Sequence, residues 1–254
     1  MGDLPACGMY STGHWVLLAI TAVMIGVGLF LTRRCDDKKV RLIIRVVTAV
    51  LWFLEIAKII FVLIRTGAGD PNTYIPLYYC SLILYAGLLS SLGSGWVRRV
   101  GDVFIATGGI IGGTCFLLVP NTSLRLYPMF HFISFHSFTL HGLMVFLGIL
   151  LLVRGVCKLC SKDVLYCAGL ISAMCVLAVA FNLIWNITHP GAAANLMFMS
   201  QDFPGTPVAL LYKWTQGPPL FSVMMWAIQA FGTFYAVFGV YKLTMYIVSP
   251  KQKQ

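Results

Sequence analysis

Long apolar runs dominate this chain and leave it few ways to fold. Seven stretches, roughly 14–32, 42–64, 75–94, 102–119, 132–153, 164–187 and 219–247, carry almost no charge. A helix that crosses a bilayer needs about 20 mostly apolar residues. Each stretch therefore reads as one transmembrane helix, and the expected fold is an all-α polytopic bundle of seven spans. Charged residues make up only 10% of the 254 positions, against about 25% in soluble domains. So little charge cannot cover a soluble surface, which excludes a soluble enzyme. The 59% of hydrophobic residues excludes disorder. No linker and no repeat of about 20–50 residues divides the chain, so residues 1–254 read as a single integral-membrane domain. The first stretch has no basic segment ahead of it, only Asp3. It reads as a retained helix and not as a cleaved signal peptide.

The loops between these stretches differ in charge. Arg33, Arg34, Lys38, Lys39, Arg41, Arg98, Arg99, Arg154, Lys158, Lys162, Lys242, Lys251 and Lys253 fall on one side, and Arg65, Arg125 and Lys213 on the other. The positive-inside rule then places the N-terminus outside and the C-terminus in the cytoplasm of a multi-pass cell-membrane protein. Nine of the ten net positive charges lie on that inner side. They record orientation and do not call for nucleic acid. The longest loop, 188–218, lies outside and reads either as a lid or as an ordinary connection. Gly108, Gly109, Gly112 and Gly113 suit close helix packing, and Pro120 ends their helix.

Eight cysteines, Cys7, Cys35, Cys80, Cys115, Cys157, Cys160, Cys167 and Cys175, make no disulfide framework. Cys157 and Cys160 have the spacing of half a zinc site. Only Cys35 could join them, so they read as reduced loop thiols and no metal or cofactor is expected. Ionisable groups inside spans are costly and mark sites. Glu55 and Lys58 are three apart on one helical face and can pair. His136 and His141 lie on the fifth span, with His131 at its mouth. Asn182 and Asn186 lie four apart on the sixth, where amides often join helices. At about 1.5 Å per residue, Cys80, His136, His141, Glu55, Lys58 and Asn182 lie roughly 6–15 Å below the outer ends of their helices. Arg45, near the inner end, can snorkel. The common depth points to one polar cavity open to the outer side.

Several stretches carry a family likeness in a fixed order. They are Ile75-Pro76-Leu77-Tyr78-Tyr79-Cys80-Ser81-Leu82, the glycine-rich fourth span with Pro120-Asn121, Phe132-Ile133-Ser134-Phe135 running into His141-Gly142, Asn182, and Asn195-Leu196-Met197-Phe198. In these the chain resembles the transmembrane protein 164 / YwaF-like family. The resemblance implies acyl transfer onto ether phospholipids through a cysteine in the third span. That residue would be Cys80, with His141 as the base and His136 as the alternative. Membrane phospholipid or lysophospholipid is the implied partner. Glu55, Lys58, Asn182, Asn186 and Tyr78 are the expected substrate-binding residues. The chain departs from the family pattern at Tyr78 and Ser81, where relatives often carry histidine and Asp or Asn. A non-enzymatic alternative uses the same residues. The cavity would bind or translocate a small polar solute or a lipid headgroup, with Glu55 or a histidine titrating. A membrane-embedded assembly partner is the third reading.

Overall fold

Six of the expected spans are helices long and apolar enough to cross a bilayer, and the third is not. The computed structural model describes residues 5–248; Asp3, Lys251 and Lys253 of the charge balance lie outside the described residues. Helix α1 covers Thr12–Thr32 and α2 covers Asp37–Thr66. Short α3 (Pro71–Tyr74) leads to α4 (Leu82–Leu92). Next, α5 (Gly95–Phe104), a π turn (Ile105–Gly109) and α6 (Ile110–Leu118) form one continuous rod. Then come α7 (Phe132–Val153), α8 (Val164–Thr188) and short α9 (Pro207–Thr215). A second rod combines α10 (Leu220–Ala227), a π turn (Ile228–Gly232) and α11 (Thr233–Val248). No strand occurs among the described residues.

The helix ends follow from local chemistry. Ser11 caps α1 by accepting from the His14 N–H, and Asp36 caps α2 by accepting from the Lys39 N–H at 2.9 Å. Gly67 ends α2 at φ 70°, a conformation that glycine adopts without a Cβ penalty.

The third apolar stretch, expected as a span over 75–94, breaks instead. Pro76 has no N–H, and its ring disfavours a helical Ile75. Ile75–Leu77 therefore stays non-helical, and a turn over 78–81 precedes α4. Eleven helical residues rise only about 16 Å, about half a bilayer core. Non-helical backbone at membrane depth is tolerated where protein covers it. Here the loop around Leu196–Phe198 does so, with the Met197 N–H donating to the Leu77 carbonyl at 3.1 Å.

Helix α4 runs antiparallel to α2. Trp52 Nε1 donates to the Leu84 carbonyl at 3.2 Å, and Arg45 Nε to the Ser91 carbonyl at 3.2 Å. A Cβ on Gly101 would strike backbone atoms of Ala86 and Ser90, so glycine sets the approach of α5 to α4. Two arginine–aspartate pairs lock the basic end. Arg41 holds Asp102 in a fork at 2.6 and 2.7 Å, with Ser90 Oγ also donating to Asp102. Arg99 holds Asp163 at 2.5 and 3.0 Å. At the opposite end, which carries Arg65 and His131 and is called the mouth below, α1 docks through His14, whose ring bonds the Leu117 carbonyl at 2.9 Å.

Candidate functional site

Cys80 lies in the turn just before α4, and not within a helix as its apolar surroundings suggested. Its half-buried thiol donates to the Gly112 carbonyl at 3.7 Å. Next to it, Tyr79 packs its ring on a shelf made by Gly108 and Gly112, where any side chain would crowd it. The glycines of the α5–α6 rod thus seat the Cys80 turn. The backbone N–H groups of Tyr79, Cys80 and Ser81 have no acceptor among the described residues. They are the open donors expected where a helix begins.

The next residue of α6 meets the histidine. Gly113 lies against the backbone carbonyl of His141, so the Cys80 turn and the His141 turn reach α6 at adjacent positions. The His141 ring stacks on Phe116 at 3.7 Å. Its Nδ1 faces the Ser137 carbonyl at 2.6 Å. A carbonyl only accepts, so Nδ1 carries the proton and Nε2 keeps the lone pair. No hydrogen bond joins Cys80 to a histidine among the described residues.

His136 belongs to a different group. Its Nε2 lies 3.4 Å from Glu55 Oε2, and Lys58 Nζ lies 2.5 Å from Glu55 Oε1. Glu55 is 2% exposed. Its carboxylate therefore bridges α2 and α7 with a cation on one oxygen and an imidazole on the other.

Asn182 and Asn186 turn away from this group. Asn182 Nδ2 donates to the Leu196 carbonyl at 3.1 Å and Ser200 Oγ at 3.0 Å, while its Oδ1 accepts from the Leu196 N–H at 2.9 Å. Asn186 makes the same paired bonds with Ala194. Both pin the long loop to α8 instead of joining helices. Tyr78 donates to Asn72 Oδ1 at 2.9 Å, which also accepts from the Asn195 N–H at 2.8 Å. Asn72 thereby ties the Cys80 segment to the loop. Nothing in its exposed sequence context signalled this. Met197 and Phe198 take φ of 56° and 53°, and Met197 is fully buried. Asn182→Ala is expected to leave the buried Leu196 N–H unpaired and its carbonyl with only the Met199 N–H at 3.4 Å, at a cost of about 1–3 kcal/mol. Hydrogen exchange at the Leu196 amide should accelerate strongly; Asn186→Ala should act more weakly, because its site is less buried.

Of the remaining thiols, Cys115 is exposed on α6, three residues past Gly112 and near Cys80, and the following four lie elsewhere. Cys157 is buried, accepts from Arg99 at 3.7 Å, and is pushed up to about 12 by burial. It is held as an unreactive thiol, while Cys160 is exposed. Cys167 and Cys175 are buried core residues.

Comparison with known proteins gives one relationship. No curated protein and no solved structure matches the chain. The profile of the TMEM164 family matches residues 9–247. That match covers nearly all of the helical bundle, including the Cys80 turn, the glycine shelf, His141 and the pinned loop. This multi-pass membrane protein belongs to the TMEM164 family.

Proposed function

We propose that the protein is a phospholipid acyltransferase of the cell membrane that works through Cys80, with its mouth facing the outer side. The observation that carries this reading is the broken third stretch. The break leaves a thiol in the turn before α4, next to three backbone N–H groups that have no acceptor among the described residues. In the first half-reaction Cys80 Sγ attacks an acyl ester carbon of a phospholipid. Its proton passes to His141 Nε2, and the thiol leaves the Gly112 carbonyl to reach it. The free N–H groups stabilise the oxyanion. The C–O bond breaks, a lysophospholipid leaves as its alcohol with the proton from His141, and the acyl group stays on Cys80 as a thioester. In the second half a lysophospholipid hydroxyl, deprotonated by His141, attacks the thioester and restores the thiol. Tyr78 and Asn72 position the turn, and Asn182 and Asn186 hold the loop that covers it.

An activated acyl thioester reagent should label Cys80 in membranes, and added phospholipid should suppress the labelling. Labelling of Cys160 alone would count against the assignment.

A second reading rests on the buried Glu55–Lys58–His136 group. It suits a proton-coupled passage for a polar solute as well as it suits headgroup binding. Uptake into liposomes that survives Cys80→Ala and is lost in Glu55→Gln would favour transport over acyl transfer.

A further inference from the structure

The mouth carries a cation whose charge is not neutralised. Arg41 and Arg99 hold carboxylates, and Arg45, Arg98, Arg125 and Arg154 donate to carbonyls. Arg65, in the last turn of α2, has neither kind of partner among the described residues, as holds also for Arg33 and Arg34 at the basic end. Its guanidinium lies 5.6 Å over the Phe61 ring. The same Phe61 ring meets His131 edge-on at 5.7 Å. His131 is stacked on its other side by Tyr127 at 4.4 Å.

His131 is fixed as a donor. Its Nδ1 accepts from the Ile133 N–H at 3.2 Å, so the neutral ring carries its proton on Nε2. Burial, and then the neighbouring Arg65 cation, hold its titration below the usual range. At neutral pH the mouth therefore offers a fixed cation and a fixed neutral N–H donor packed against one aromatic ring. Lys58 lies two turns below Arg65 on α2, where Glu55 already neutralises it. The other titratable neighbour of His131 is Tyr127, whose ring stacks on it. No acid faces the pair within ion-pair distance among the described residues.

We infer that Arg65 and His131 together hold the phosphate of a membrane phospholipid headgroup at the mouth of the bundle. A phosphate oxygen suits a guanidinium, and a second oxygen suits an imidazole N–H. The lipid source is favoured over free phosphate because the pair lies at the apolar rim. Exposed Phe130 and Phe135 flank it on the α7 side, where a lipid glycerol and acyl chains would continue. From there an ester group can descend toward Cys80. The inference deepens the acyltransferase reading and rests on it for its purpose, but not for its detection.

The test uses the full-length Cys80→Ala protein in detergent with labelled histidine, followed by NMR over pH. Short-chain phosphatidylcholine should raise the His131 titration midpoint and saturate. Diacylglycerol of the same chain length should not. Inorganic phosphate should act only at much higher concentration. Arg65→Gln should abolish the lipid effect. No shift with phosphatidylcholine, an equal shift in Arg65→Gln, or tighter action by inorganic phosphate would each overturn the inference. In the protein with Cys80 intact, Arg65→Gln should raise KM for phospholipid about tenfold or more with kcat little changed. If phosphatidylcholine shifts His131 but the Cys80-intact protein exchanges no acyl chains, the headgroup site stands and the acyltransferase reading falls. Exchange without any shift reverses that outcome.

Discussion

Cys80→Ala should abolish acyl exchange while leaving the bundle folded. The thiol's recorded hydrogen bond in the resting structure is a 3.7 Å contact to the Gly112 carbonyl. Its loss removes a weak donor from a half-buried turn and creates no unpaired charge, so the stability change should stay near 1 kcal/mol or below. The chemical change is complete, because alanine cannot form a thioester. His141→Gln removes the free ring nitrogen and should lower exchange about 100-fold or more, the usual yield of a positioned general base. His136→Gln should cost less, since His136 faces Glu55, whereas the His141 carbonyl lies against Gly113 beside the Cys80 contact at Gly112. The paired measurement is radiolabelled acyl exchange alongside the unfolding midpoint in the same detergent. Exchange at the parental rate by a folded Cys80→Ala protein would remove the nucleophile assignment.

The largest effect on stability should come from the basic end. Asp102 is 3% exposed, and Arg41 supplies both of its fork contacts. Arg41→Met keeps much of the side-chain volume but leaves that carboxylate buried with only Ser90 Oγ as donor. Breaking one side of a buried pair costs about 3–5 kcal/mol, which corresponds to a drop in unfolding midpoint of roughly 6–20 °C for a chain of this size. The double change Arg41→Met with Asp102→Leu should recover most of the loss, because a neutral, packed pair carries no desolvation cost. A midpoint unchanged in Arg41→Met would mean that water reaches Asp102. These residues lie at the end opposite the mouth, so acyl exchange by the surviving folded protein should be little affected.

The helices were legible wherever apolar length alone decides the outcome. Six runs became helices of spanning length; most ends lie within a few residues of those read from the sequence, but the fourth helix starts at Gly95 and takes in the basic segment 95–101 that read as a loop, and the second starts at Asp37. The third run has the same composition, but a hydropathy average does not register that Pro76 removes a donor and bars helix at Ile75. The half-length helix, and with it the open N–H groups beside Cys80, came from one residue within an otherwise ordinary run. Local pairs were also legible: Glu55 and Lys58 are three apart and meet because helical geometry dictates it. Pairs through space were not. Nothing in the sequence joins Arg41 to Asp102, Arg99 to Asp163, or Glu55 to His136, since those contacts depend on which helices become neighbours. Asn182 and Asn186 were correctly placed on one face, but that face meets a returning loop and not another helix. Arg65 and His131 were read as a loop charge and a mouth residue. Their relation depends on both packing against Phe61.

The acyl-enzyme itself is the most direct measurement. Purified protein is mixed with a phospholipid carrying a labelled acyl chain, quenched in acid before an acceptor is added, and digested for mass spectrometry. The label should appear on the peptide containing Cys80. The adduct should be released by neutral hydroxylamine, lost when lysophospholipid is added, and absent in Cys80→Ala. Acyl exchange that proceeds with Cys80 unlabelled throughout would contradict it.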